Sequence, residues 1–275
     1  MGITMANSIM NTTTRLGPQE RLFLTSIAAE GKRIFHFADA VPYWISNHQT
    51  RKAVSRLERK GWLRRLERGL YLLIPLEAGL NGNWSEDPLV IASQLVPGGA
   101  AAYLSALHYW NMTEQVPRTV FVQTVARRNT PSSEILGVRY QFVTIKQARF
   151  FGILSQTVDG MAFNITDREK TIVDSMARPD LCGGIMLIAN ALGSVNEVDW
   201  YKLDQYLERF GSGAVYKRLG YLIERLDVDI PNRHHLLTGW QERLTQGIAW
   251  LEPGGDRTGP VKTRWRIRVN VKGLV

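Results

Sequence analysis

A chain of 275 residues, 44% of them hydrophobic and 21% charged, is long enough for two units of ordinary size, each with its own apolar core. Its one cysteine, Cys182, excludes an internal disulfide framework and any cysteine-cluster zinc site. The net charge of +9 is unevenly spread: residues 1–83 are net +6, residues 253–275 net +5, and residues 84–252 net −2. Cations gathered at two ends of an otherwise slightly acidic chain point to a polyanionic partner, because Lys and Arg neutralise phosphates and release counterions.

Residues 1–17 lack the apolar stretch of a signal peptide and read as a disordered start, with Met5 and Met10 as alternative initiators. Pro18 to Ala29 reads as a first helix, with Leu22, Phe23 and Ile27 inward and Gly31 after its end. Phe35, Phe37 and Val41 suit a short second helix with Asp39 near its start, closed by Pro42. A third helix opens at Ser46-Asn47, turns Ala53, Val54 and Leu57 inward, carries Arg51, Lys52, Arg56, Arg59 and Lys60 around its remaining surface, and stops at Gly61. Trp62-Leu63 and Leu70–Leu73 then flank the tip Glu67-Arg68-Gly69, the pattern of a β-hairpin. A basic helix followed at once by a basic hairpin is the layout of a winged helix-turn-helix, expected here over residues 18–76.

In that layout the N-terminal half of the third helix meets base edges and the hairpin lies along the DNA backbone. Asn47, His48, Gln49, Arg51, Lys52 and Ser55 are therefore the candidates for base readout, with Arg56 beside them. Arg59, Arg64, Arg65 and Arg68 are the candidates for phosphate contact. The bland alternative is a solvated charged face, which is what most charge runs are.

Residues 77–84, glycine- and asparagine-rich and without periodicity, read as a linker. Residues 85–275 then read as a larger unit. Two helices, near Ser85–Leu95 and Ala100–Trp110, precede strand-like runs at Thr119–Val125, Val138–Ile145, Ile153–Val158 and Met161–Ile165, with Asp159-Gly160 as a hairpin turn. Helical patterns follow near Asp167–Ala177, Gly184–Leu192, Asp199–Phe210, Ala214–Leu226 and Asn232–Gln246. Strands followed by helices make the fold class α+β. A final strand is expected over Lys262–Lys272, where Lys262, Arg264, Arg266 and Arg268 alternate with Thr263, Trp265, Ile267 and Val269. That strand is either a charged, protected edge or a second basic surface for DNA or an acidic partner.

Taken together, these residues resemble the AbiEi antitoxins, bacterial regulators encoded beside nucleotidyltransferase-like toxins. The resemblance is carried by RKAVSRLERKGWLRRLERGLYLL in the winged helix, YLSALHYWNMTEQVPRTVFVQT from Tyr103, ITDREKTIVDSMARPDLCGG from Ile165, and RLGYLIERL from Arg218. It implies an N-terminal domain that binds inverted repeats in double-stranded DNA and represses its own operon; a homodimer on the operator is a further expectation, which pairing by the second domain would serve. It also implies a C-terminal domain that opposes a cognate toxin. Where the family has His-Gly after the second stretch's aromatic, this chain has Tyr109-Trp110-Asn111, a departure that bears on partner choice.

Catalytic readings are weaker. Asp167, Glu169, Lys170 and Asp174 form the most enzyme-like cluster and would suit a metal-dependent nuclease. The competing explanation is a capping box, Thr166 with Glu169, at a helix start, with Asp167 favoured by the helix dipole. The histidines lack metal-ligand spacing, Gly211-Ser212-Gly213 reads as a turn, and no cofactor is expected. The tyrosines and tryptophans at 103, 109, 110, 200, 201 and 206 suit a core at helical spacing more than a base-stacking platform. Ile185–Leu192 is too short to span a bilayer, so the expectation is a cytoplasmic, non-enzymatic regulator. A stand-alone regulator whose second domain senses a ligand is the alternative from the same class, and a DNA-targeted nuclease is the alternative from another.

Overall fold

The computed structural model describes residues 15–75, 78, 84–193 and 197–274. Most of the expected disordered start (1–17) and of the expected linker (77–84) lies outside the described residues. The chain divides into two compact units, with the main boundary between Asp87 and Pro88.

In the first unit, α1 (Pro18–Ala29) begins at Gly17, whose N–H donates to the Glu20 carboxylate at 3.0 Å. Its buried face is Glu20, Phe23, Leu24 and Ile27; Leu22, expected inward, is half exposed, and Leu24 takes its place. The chain then forms β1 (Ile34–His36), α2 (Phe37–Ala40), a 3₁₀ turn at Val41–Tyr43, α3 (Asn47–Arg59), β2 (Leu63–Glu67) and β3 (Leu70–Leu73). Phe35 thus belongs to a strand rather than to the second helix. It pairs with Tyr71, and the antiparallel sheet runs β1-β3-β2. Only this distant pairing makes β1 a strand; three residues carry too little periodicity to declare it.

Phe23 is the centre of the first core. Its ring meets those of Phe35, Tyr43 and Trp44 edge-on at 5.4, 5.1 and 5.2 Å, while Ile27, Val54, Leu57 and Leu63 close around it. Each such aromatic pair adds about 0.5–1.5 kcal/mol to the burial of the ring itself. These contacts lock α1, the turn before α3 and the sheet into one body, and so fix the direction in which α3 points.

The second unit is built on a six-stranded mixed sheet in the order β6-β7-β5-β4-β9-β8. Its strands are β4 (Ala100–Ala101), β5 (Thr119–Thr124), β6 (Ser132–Ile135), β7 (Val138–Thr144), β8 (Ile153–Val158) and β9 (Met161–Thr166). Asp159 and Gly160 both have positive φ, as the tight β8–β9 turn demands. The helices are α4 (Pro88–Leu95), α5 (Leu104–Tyr109), α6 (Arg168–Ala177), α7 (Ile185–Gly193), α8 (Trp200–Phe210), α9 (Gly213–Arg225) and α10 (Arg233–Glu242). The expected helix from Ala100 is corrected: Ala100-Ala101 pair with β5 and β9 as a central strand, and the helix begins only after Tyr103. Small residues there let the flanking layers approach closely, and alanine at those positions conceals the strand from any propensity argument.

The tail also departs from expectation. Instead of one strand, β11 (Val261–Lys262), a 3₁₀ turn (Thr263–Trp265) and β12 (Ile267–Arg268) fold with β10 (Ala249–Trp250) into a small sheet ordered β10-β12-β11. Arg266 takes a left-handed conformation, φ 48°, at the break. The break seats Trp265 against Gly220 of α9, where the indole is buried and donates to Glu224 at 2.6 Å. Burying a large ring outweighs keeping a regular strand.

Candidate nucleic-acid interface

The α3 helix is capped by Ser46, whose hydroxyl accepts the Gln49 N–H at 3.3 Å. Thr50, Ala53, Val54 and Leu57 recur every three or four residues and are buried. The opposite face is set by the same 3.6-residue period: His48, Lys52, Ser55 and Arg59 form an exposed stripe, flanked by Asn47 and Arg51 on one side and Gln49 and Arg56 on the other. All eight are exposed, so the inward packing of α3 and the outward presentation of its polar groups are one geometric fact.

The cations are not equivalent. Arg51, Lys52 and Arg59, with Arg68 at the hairpin tip, are exposed and make no side-chain hydrogen bond or ion pair among the described residues. Arg56 and Lys60 instead converge on Glu20 of α1, at 3.2 and 2.6 Å. Burial raises the Glu20 pKa, but hydrogen bonds from Lys60, Gly17 and Arg56 outweigh it and hold the carboxyl below its ordinary value. In the hairpin, Arg64 reaches the Trp84 carbonyl at 3.4 Å and Arg65 the Glu67 carbonyl at 3.2 Å.

A bulge between Arg65 and Glu67 shapes the wing. Leu63 and Leu66, three residues apart, would face opposite sides of a regular strand; both are buried here, which leaves Arg64 and Arg65 together at the surface. Two features of this surface escaped the sequence reading. Glu20 is the anchor that withdraws Arg56 and Lys60, and its only signal was a lone acid near the start of an apolar helix. Ile45, 94% exposed at the mouth of α3, stood outside any apolar period and so carried no signal.

The cations of the tail are held by their own unit. Arg264 pairs with Glu224 at 2.8 Å, Arg266 donates to the Thr245 carbonyl at 3.3 Å, and Arg268 donates to the Gly259 carbonyl at 2.9 Å while lying over the Trp250 ring. Lys262 is exposed without such a partner among the described residues.

The acidic cluster at the start of α6 is absorbed by packing. The N-cap is Asp167, whose carboxylate accepts the Lys170 N–H at 2.8 Å, so the expected Thr166–Glu169 box is corrected. The Thr166 hydroxyl meets that of Thr171 at 2.8 Å, and Glu169 accepts from the Asp199 N–H and from Lys202, both at 2.9 Å. Asp167 also takes Lys202 and the Tyr206 hydroxyl, each at 2.9 Å. Lys170 and Asp174 form a buried ion pair, and Gln123 donates to Asp174 at 2.7 Å. Among the described residues no group of three or more His, Cys, Asp or Glu is placed to hold a metal ion. Cys182 donates to Ser175, and burial pushes its thiol up to about 12, so it remains protonated at neutral pH.

No helix among the described residues is long and apolar enough to cross a membrane. Residues 23–74, which span the winged unit from α1 to the end of the hairpin, match a family model described as transcriptional regulator, AbiEi antitoxin. That match lies within the winged unit, which is therefore similar to AbiEi-type transcriptional regulators. Among curated proteins none matches. The fold is similar to the crystal structure of the RV2827C protein from Mycobacterium tuberculosis, with a TM-score of 0.65 over 92% of each chain at 13% identity. At that identity the likeness is one of fold alone.

Proposed function

We propose that this chain, whose winged unit carries the match to AbiEi-type regulators, is a DNA-binding autorepressor and antitoxin that opposes a nucleotidyltransferase-like toxin. The observation that carries the proposal is the outward face of α3. It is capped, rigidly seated, and lined by Lys52, Arg51 and Arg59, which among the described residues have no carboxylate partner to compete with phosphate. Asn47, His48, Gln49, Arg51, Lys52 and Ser55 meet base edges, where Arg or Lys pairs with guanine and Asn or Gln with adenine. Arg59, Arg64, Arg65 and Arg68 meet phosphates, and Arg56 acts mainly by holding α1 to α3. Two copies bind an inverted repeat upstream of the chain's own gene, and residues 85–275 carry the antitoxic activity.

Fluorescence anisotropy with promoter DNA and with random DNA tests the first half. Arg51→Ala lowers affinity for the promoter more than for random DNA, because a bidentate base contact discriminates by about 1–3 kcal/mol. Equal losses on both would remove Arg51 from base readout. Co-expression with the neighbouring gene product, scored for growth, tests the second half: residues 1–80 alone fail to rescue, and rescue by that fragment would overturn the division of labour.

A further inference from the structure

Independently of the DNA-binding reading, the second unit contains a cavity of about 260 Å³ whose lining is chemically graded from floor to mouth. Tyr103 and Asp174 are its buried polar groups, Phe210, Val143 and Ala177 are its apolar wall, and Lys146 and Arg149 stand at its exposed end. Its size lies just below that of ordinary ligand sites, which run roughly 300–1,000 Å³, so part of any ligand would stand outside the mouth. We propose that this cavity binds a nucleoside monophosphate.

Each part of such a ligand has a counterpart. Asp174 is paired with Lys170 and takes a hydrogen bond from Gln123, so it stays fixed while each carboxylate oxygen keeps a lone pair for a donor. An exocyclic amine of a base is a donor of the right kind for such a floor. Tyr103 stays neutral, because burial and the Asp174 charge raise its phenol pKa, and with Phe210 it gives the cavity an aromatic part to its lining. Its backbone has φ 56° and ψ −132°, a conformation that L residues adopt only when held there.

The mouth selects an anion. Arg149 lies over the Phe210 ring at 4.3 Å, so an aromatic contact rather than a carboxylate positions its guanidinium. Neither Arg149 nor Lys146 has a side-chain hydrogen bond or ion pair among the described residues. Arg178, by contrast, is matched by Asp180 at 2.8 and 2.7 Å and adds little net charge. Two free cations above a neutral floor therefore favour an anionic group on a ligand whose other end donates hydrogen bonds.

Isothermal titration of the full chain with AMP, GMP, CMP and UMP tests the proposal, with inorganic phosphate and the nucleosides as controls. At least one monophosphate should bind about tenfold or more tighter than phosphate or its own nucleoside, because both ends of the ligand are recognised. Lys146→Glu with Arg149→Glu, both at exposed positions, should weaken that binding by about tenfold or more while circular dichroism stays unchanged. Ala177→Phe should abolish it by filling the cavity. Phosphate binding as tightly as every nucleotide, no nucleotide binding at millimolar concentration, or affinity untouched by the charge reversal would each overturn the assignment.

Discussion

If Arg59 and Arg68 touch phosphate while Arg56 is held by Glu20, the three arginines must respond differently to salt. Each phosphate contact contributes about −0.9 to the slope of log affinity against log salt concentration. Replacing Arg59 and Arg68 together with Ala should therefore flatten the slope by about 1.8 per chain. Between 50 and 200 mM salt, the fourfold change makes the loss of affinity roughly twelvefold smaller than in the unmodified protein. Arg56→Ala should leave the slope nearly unchanged, because its guanidinium already faces the Glu20 carboxylate at 3.2 Å. It should instead lower stability, by no more than about 1 kcal/mol, since Arg56 is half exposed and Lys60 remains on Glu20. Anisotropy titrations at four or five salt concentrations give the slopes, and urea denaturation gives the stability. Equal flattening by Arg56→Ala and Arg59→Ala would refute the division between free and tethered cations.

Three other outcomes follow from packing and charge. Gly220→Ala gains about 1 kcal/mol of helix propensity, but its Cβ would lie 2.2 Å from the buried Trp265 ring. Overpacking of that order costs about 1–3 kcal/mol or more, so the melting temperature should fall by several degrees with a change in near-ultraviolet dichroism; a rise would mean that the ring moves freely. Glu20 has a depressed pKa in the folded chain, so its contribution is complete above the unfolded value, about 4.3, and is lost as pH falls through the lower folded value. The stability gap between the unmodified protein and Glu20→Gln should accordingly be present at pH 6 and shrink in strong acid; a constant gap would contradict the ion-pair account. Lys170→Met strands the buried Asp174 carboxylate and should cost about 3–5 kcal/mol, with Lys170→Met/Asp174→Leu recovering much of it. A double variant no more stable than the single one would mean that the pair's hydrogen bonds, not its charge balance, hold α6.

Local order was legible wherever neighbours in sequence decide it. For α3, the Ser46 cap, the 3.6-residue recurrence of Ala53, Val54 and Leu57, and the Gly61 terminus (φ +78°) all lie within sixteen residues, and the hairpin tip at Arg68-Gly69 follows at once. The same holds for the β8–β9 turn at Asp159-Gly160 and for the order of strands before helices that makes the class α+β. Where neighbours in space decide, the sequence was silent or misleading. Phe35 became a strand because Tyr71 lies beside it; Ala100-Ala101 became the middle of a sheet; and the alternating tail broke so that Trp265 could fill the space above Gly220.

The candidate interface divides along the same line. Composition and helical period alone determine that α3 is amphipathic and that its outward face is basic, since 100° per residue sorts apolar from charged side chains without help from the rest of the chain. Which of those charges remain available is a tertiary matter. Glu20, 36 and 40 residues away from Arg56 and Lys60, reaches them only because α1 packs beside α3 around Phe23. A sequence lists charges one by one, whereas their electrostatic effect depends on the distance to an opposite charge, and that distance exists only once the chain has folded.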